Sequence, residues 1–238
     1  MPPRSTVRRA PGGHYVTVSW EGPAVGSHVA GIRFAGGSYG RAFQIHPLGA
    51  HEFAMQHLVD AGATKRLLVG RREVKVTSAA DRSSTTATLL GAHHELMTVF
   101  TGPAPDERRI SDLFGVLDID DAPEGMAVRP QSETMLTPMG EHIVLIAEDF
   151  TSVDVPGPTN ASEMVPKGRG RKTRNGEVWR NRLPGRAGTR ANDFSYVVGT
   201  PRGAAEVIAS DENLVSEENL LAMVDSLDVA WSAGKGRR

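Results

Sequence analysis

Gly36-Gly37-Ser38-Tyr39-Gly40 matches the G-x-S-x-G pattern in which a serine is turned outward as a nucleophile. That chemistry needs a strained strand-to-helix turn, so that the hydroxyl projects and the helix start stabilises an oxyanion. Downstream, Phe43 and Ile45 alternate with Ala42 and Gln44, which is strand and not helix, so a Gly-rich hairpin turn explains the five residues more simply. A serine hydrolase at Ser38 therefore ranks third among three functional readings. Histidines raise a metal reading, because His46, His51 and His57 lie close in sequence and His51-Glu52 begins like a zincin helix. The second zincin ligand belongs four residues after the first, where this chain has Met55. His51 and His57 stand about 600° apart around a helix and share no face. His93 and His94 are adjacent, so on a strand they point to opposite sheet faces. Asp118, Asp120, Asp121 and Glu124 have the look of a calcium loop, but Ala122 and Pro123 occupy its fifth and sixth positions. They read instead as an acidic turn after a helix, ended by Pro123 and Gly125. Gly168-Arg169-Gly170 is too short for a phosphate-binding loop and opens no helix. Cysteine is absent, which removes disulfides, thiolate ligands and a cysteine nucleophile. No catalytic residue, metal ligand or cofactor is expected.

Charge distribution is more informative than any motif. The 238 residues carry a net charge of −1, so the whole-molecule charge selects no partner. Between Asp106 and Glu163, however, thirteen acidic residues face Arg108, Arg109 and Arg129, a net of −10. Between Lys167 and Arg190 the balance reverses to +8: Lys167, Arg169, Arg171, Lys172, Arg174, Arg180, Arg182, Arg186 and Arg190 against Glu177. The basic window contains several glycines and Pro184 and keeps no helical or strand period. It reads as a long loop, interrupted by a short extended piece around Val178-Trp179. Long loops in compact domains are usually functional or disordered. Arginine favours planar, bidentate contacts with carboxylate or phosphate, and Trp179 is placed to stack on a nucleic-acid base.

The elements that would carry these residues follow from hydrophobic period. Apolar residues make up 39% and charged residues 23%, a globular composition and not a disordered one. Val16, Val18 and Trp20 alternate with Tyr15, Thr17 and Ser19, a strand closed by Gly22-Pro23 and Gly26. Further strands are expected from Val29 to Phe34, Arg41 to His46, Arg66 to Ser78 (a strand or hairpin), Ser84 to Leu90, Glu95 to Phe100, Phe194 to Val198 and Ala204 to Ala209. One helix is expected from Ala50 to Ala61, burying Phe53, Ala54, His57 and Leu58, with Gly62 as its left-handed cap. A second opens at Pro105 and Asp106 and buries Ile110, Leu113, Phe114 and Leu117. A third starts at the N-cap Ser216 and buries Leu220, Leu221, Val224 and Leu227.

These elements predict an α+β fold of antiparallel β-sheets with a few helices packed on one face. The helix ends Leu113-Phe-Gly-Val-Leu-Asp-Ile-Asp and Val224-Asp-Ser-Leu-Asp-Val-Ala echo each other. Two similar lobes, 14–125 and 126–231, are one explanation; the echoes any α+β chain produces are the other. Residues 1–13 read as a flexible basic arm, 167–190 as a basic loop inserted in the second lobe, and 232–238 as a tail. Pro11, Gly12 and Gly13 follow Arg8 and Arg9 where a secretory leader needs an apolar stretch. No run is long enough to span a membrane, and a cytoplasmic location is the default expectation.

The unit from Phe194 to Trp231 resembles the closing strand–helix piece of PsbP-like sandwiches and of some exported anti-sigma-type domains. The residues carrying this are Tyr196-Val-Val-Gly, the hairpin to Ala204–Ile208, and Ser216-Glu-Glu-Asn-Leu-Leu-Ala-Met-Val-Asp-Ser-Leu. It covers about 38 residues and implies a non-enzymatic binding or adaptor scaffold. The favoured reading is thus a non-catalytic adaptor or structural assembly protein. It would bind a protein partner or copies of itself through the Arg-rich window, with the 106–163 acids as the complementary surface. The alternative partner is a nucleic acid or other polyanion held by the same residues, Lys167, Arg169, Arg171, Lys172, Arg174, Trp179, Arg180, Arg182, Arg186 and Arg190.

Overall fold

The computed structural model describes residues 3–57, 60–132, 134–148, 151–209 and 215–233, apart from the side chain of Ser38. Leu58 of the expected helix stripe, the first two residues of the expected arm and most of the expected tail lie outside them. In chain order the elements begin β1 (Pro3–Arg9), β2 (Tyr15–Glu21), β3 (Val25–Ala35), β4 (Ala42–Pro47), α1 (Ala50–His57), β5 (Ala61–Val69), β6 (Arg72–Ala79), β7 (Ser84–Leu90) and β8 (His94–Thr101). They continue α2 (Glu107–Gly115), β9 (Leu117–Ala122), β10 (Gly125–Pro130), β11 (Thr137–Ala147), β12 (Thr151–Pro156) and α3 (Ala161–Met164). The last are β13 (Arg171–Lys172), β14 (Glu177–Arg182), β15 (Phe194–Thr200), β16 (Gly203–Ala209), α4 (Glu217–Ser226) and β17 (Asp228–Ser232). Strand makes up 54% and helix 16%, so the fold is mostly antiparallel sheet with few helices. Two compact units form: a terminal unit of Met1–Ala10, His14–His28 and His142–Arg238, and a central unit of Pro11–Gly13 and Val29–Glu141.

In the central unit the sheet order is β3-β4-β8-β7-β6-β5, and β9 and β10 form a separate hairpin. Alternation builds its core. Phe43 and Ile45 are buried on β4, and register places Ile45 beside Leu96, Leu96 beside Leu89 and Leu89 beside Val74, one continuous apolar face. Helix α2 covers this face. Its Phe114 ring packs edge-on against Phe43 at 6.0 Å, and Phe43 packs likewise on Phe34 at 6.1 Å. The Asp106 carboxylate accepts the Arg109 N–H at 2.7 Å and so caps the helix where its opening was expected, an interaction worth about 1 kcal/mol. Ile110, Leu113 and Phe114 are buried as their spacing requires, whereas Leu117 is buried from β9 rather than from the helix.

The opposite sheet face is polar and carries α1, so in this unit the helices do not share one face as expected. Helix α1 is shorter than its sequence suggested, ending at His57, and Gly62 lies inside β5 rather than capping a helix. Pairing of Ala61 with Ala79 takes that segment into the sheet. The buried residue of α1 is His51, while Phe53 is 58% exposed. Polar contacts decide this rotation. The Glu95 carboxylate accepts the backbone N–H groups of Gly49 at 2.9 Å and His51 at 2.7 Å. The imidazole sits between the hydroxyls of Thr88 (2.9 Å) and Thr77 (3.2 Å). Asp118, Asp120 and Asp121, expected in a turn, lie in strand β9, and only Pro123-Glu124 turn; Asp121 accepts the His93 N–H at 2.8 Å and lies 2.7 Å from His94 Nδ1.

In the terminal unit the order is β13-β14-β15-β16-β12-β11, with a second sheet β1-β2-β17. Val16, Val18 and Trp20 of β2 are buried as their alternation predicts. Residues expected to form a flexible arm are instead strand β1, paired with β2 from Pro3↔Glu21 to Arg9↔Tyr15. Ser216 caps α4 by accepting the Asn219 N–H at 3.1 Å. Leu220, Met223 and Val224 are buried there, but Leu221, placed in the stripe by its spacing, is 39% exposed.

Candidate functional site

The basic window is built into the sheet rather than looped over it. Strand β14 pairs along its length with β15, from Glu177↔Gly199 to Arg182↔Phe194. Two-residue β13 closes the edge through Arg171↔Val178 and Lys172↔Glu177. The turn between them is tight: Thr173 N–H donates to the Gly176 carbonyl at 2.9 Å, and Gly176 N–H to the Thr173 hydroxyl at 3.1 Å. A β-carbon on Gly176 would lie 1.9 Å from the Gly199 carbonyl, so only glycine fits.

After β14 the chain returns through Leu183–Arg190, and Asp193 fastens it. The Asp193 carboxylate accepts the N–H groups of Arg190 at 3.1 Å and Thr189 at 2.8 Å. Those two bonds, Arg190's first, hold its carboxyl below the usual aspartate range. Ala191 N–H donates to Glu217 Oε1 at 2.8 Å, tying the loop to the start of α4.

Between this loop, β13–β15 and α4 lies a cleft of about 520 Å³. Arg171, Arg180 and Arg190 line it, over an apolar base of Val178, Leu221 and Val224 and beside the rings of Phe194 and Tyr196. The Arg180 guanidinium sits 4.8 Å from the Phe194 ring centre. Tyr196 donates its hydroxyl to the Ala191 carbonyl at 2.9 Å, and burial pushes its pKa up. Acidic residues reach the same cleft but are engaged by their own chain. Glu217 accepts Ala191 N–H, and Asp225 accepts Arg174 Nε at 2.9 Å. Arg171 and Arg180 form no ion pair with a carboxylate among the described residues. Guanidinium groups over an apolar base, with neighbouring acids already occupied, can grip carboxylates or phosphates brought from outside.

Other residues of the window go elsewhere. Arg174 bridges Glu21 and Asp225, and Glu21 is the larger cause of its raised pKa. This docking is on acids outside the 106–163 segment expected to be complementary. Several acids of that segment serve local roles, Asp106 at the α2 cap, Asp112 3.8 Å from Arg108, and Asp121 at the two histidines. Trp179 is on the opposite face of β14 from Arg180, as register shows (Trp179↔Val197, Arg180↔Tyr196). Its indole N–H donates to the Gly168 carbonyl at 2.8 Å, so it is not placed to stack on a ligand in the cleft. Lys172 shares that opposite face, Arg182 runs along Gly188, Arg186 acts on Asp193, and Lys167 and Arg169 are exposed ahead of β13. Sequence reasoning missed Phe194, Tyr196, Glu217 and Asp225; each sits in an element recognised for its period, with nothing marking which face meets the cleft.

The motifs set aside on sequence grounds are also placed. The turn Gly37–Tyr39 is a single 3-10 turn between antiparallel strands β3 and β4, without the following helix that a nucleophile elbow requires. His57 stacks on Phe53 at 4.7 Å, and His46 lies 3.3 Å from Gln44. No group of three or more His, Asp or Glu that could hold a metal ion occurs among the described residues, and no described helix is long and apolar enough to cross a membrane.

The fold and cleft together describe a strand-rich α+β protein with an arginine-lined cleft. Compared with protein-family models, curated proteins and solved structures, the chain matches none.

Proposed function

We propose that the protein is a non-catalytic adaptor that grips an acidic segment of a protein partner in the Arg171–Arg180–Arg190 cleft. The observation carrying this is the pairing pattern: Glu217 and Asp225 are bound by their own chain, while Arg171 and Arg180 face the cleft without a carboxylate. Acids at the rim disfavour a continuous phosphate backbone but tolerate discrete carboxylates on a peptide. The resemblance of residues 194–231 to a PsbP-like strand–helix unit supports a binding scaffold over an enzyme. Fluorescence anisotropy with a labelled glutamate-rich peptide tests the reading. Binding should weaken at least about tenfold in the Arg171→Ala/Arg180→Ala variant, the loss expected for charge-assisted contacts. Equal affinity in both proteins would sink the proposal, and tighter binding of single-stranded DNA of matched length would favour the polyanion alternative. Molecular mass at low and high salt tells whether the acidic partner is a second copy.

We further infer that the chain holds two similar lobes, β2–β9 and β10–β17. The strand orders β3-β4-β8-β7-β6-β5 and β11-β12-β16-β15-β14-β13 correspond one to one. In chain order a helix follows β4 and β12, and another follows β8 and β16. The opening strands are exchanged: β2 pairs with β17, and β10 with β9.

A further inference from the structure

Arg41 directly precedes β4, and its guanidinium lies against the apolar Phe100, where a cation is unexpected. Its guanidinium lies 3.9 Å from the centre of the Phe100 ring. Nε and Nη1 are both buried and have no acceptor among the described residues. A buried guanidinium nitrogen without an acceptor is costly, and the ring face offsets the charge without accepting those in-plane N–H groups. Arg109, on the first turns of α2, faces the same cavity of about 390 Å³, walled by Phe100, Pro103 and Pro105. Burial, and then the Arg109 charge, lower the Arg41 pKa, as expected when two cations converge. Asp106, the N-cap of α2, accepts Arg109 N–H, and Asp112 lies 3.8 Å from Arg108.

We propose that Arg41 and Arg109 form a binding site for a dianionic phosphate group, separate from the cleft of the terminal unit. Two converging guanidinium groups are neutralised together by a dianion, whereas a carboxylate leaves one charge uncompensated. The cavity exceeds what a phosphate ion fills, and Phe100 with the two prolines gives an esterified phosphate an apolar wall.

Isothermal titration with inorganic phosphate and with phenyl phosphate tests the site. It is run in the Arg171→Ala/Arg180→Ala background so that the cleft contributes nothing. Saturable one-site binding is expected, weakened at least about tenfold by Arg109→Ala. Arg109 is exposed, so that variant should keep its fold. Arg41→Gln should weaken binding as well, with its circular dichroism and melting checked alongside. Tighter binding of phenyl phosphate identifies a phosphate ester as the ligand, and equal affinity identifies the free ion. Absence of saturable binding, or binding untouched by Arg109→Ala, overturns the proposal, whatever the glutamate-rich peptide does at the cleft.

Discussion

The central and terminal units run their strands in the same order but end differently. At the central edge, β5 has nine residues and β6 eight; at the corresponding terminal edge, β13 has two and β14 six. Arg171 and Arg180 stand on these short strands, and Arg190 on the chain that returns after them. Beside each edge lies a hollow next to the second helix of its series. The central one is about 320 Å³, and the Arg72 on its wall donates to the Ile119 carbonyl at 2.7 Å. The terminal one is about 520 Å³ and presents Arg171 and Arg180 without carboxylate partners. One framework thus uses arginine to close a hairpin in one place and to face outward in the other.

Substitution of the central aromatic cluster should have the largest effect. Phe43→Ala removes contacts with Phe34 and Phe114 and should cost about 3–5 kcal/mol by denaturant unfolding. If the units unfold separately, hydrogen exchange should show protection lost across β3–β8 and retained across β14–β16; uniform loss would mean that they unfold as one. Asp121→Asn comes next. It weakens the anchor of His93 and His94 in a site where the Asp121 and His94 side chains are 4% and 5% exposed, and should cost about 1–3 kcal/mol.

The units should also answer pH in opposite senses. Burial lowers the pKa of His46 and of His51 in the central unit. The unfolded chain then takes up these protons first, so this stability is complete above the ordinary value of 6.5 and is lost as pH falls below it. In the terminal unit, burial raises the pKa of Asp154, with Glu206 adding to the rise and His142 opposing it. That contribution is complete below the ordinary aspartate value of 3.8 and is lost as pH climbs through the raised one. Hydrogen exchange at pH 7.5 and pH 5 should show the central strands loosening on acidification, and His51→Gln should blunt this. Terminal strands loosening in step with them would contradict the assignment. The smallest stability effect belongs to the cleft: Arg171→Ala and Arg180→Ala should each fall within about 0.5 kcal/mol of wild type, since both are exposed and lack an ion pair. A larger loss would mean that they hold the fold rather than a ligand.

Alternation was sufficient for β2 and β4, because a strand with one buried face writes a period of two into the chain. Capping chemistry was sufficient for the starts of α2 and α4, because Asp106 and Ser216 act within one turn. Helix α1 defeated the same reasoning. Its orientation is fixed by Glu95, Thr77 and Thr88, which come from strands far along the chain, and a hydrophobic stripe cannot anticipate a polar anchor. Residues 167–190 defeated it differently. The extended piece expected around Val178-Trp179 is strand β14, but its length and its place in the sheet come from pairing to β15 and not from period.

By itself, then, the sequence determined the antiparallel strand framework, the starts of α2 and α4 and the concentration of arginine in residues 167–190, all properties carried by residues a few positions apart. Tertiary structure alone decided which arginines share a cleft, that Trp179 turns away from it, and that Arg41 meets Arg109 over Phe100. Each of these depends on the register of one strand against another or, for Arg109, on where α2 packs. A shift of one residue would send every such side chain to the opposite face, and nothing local in the chain sets that choice.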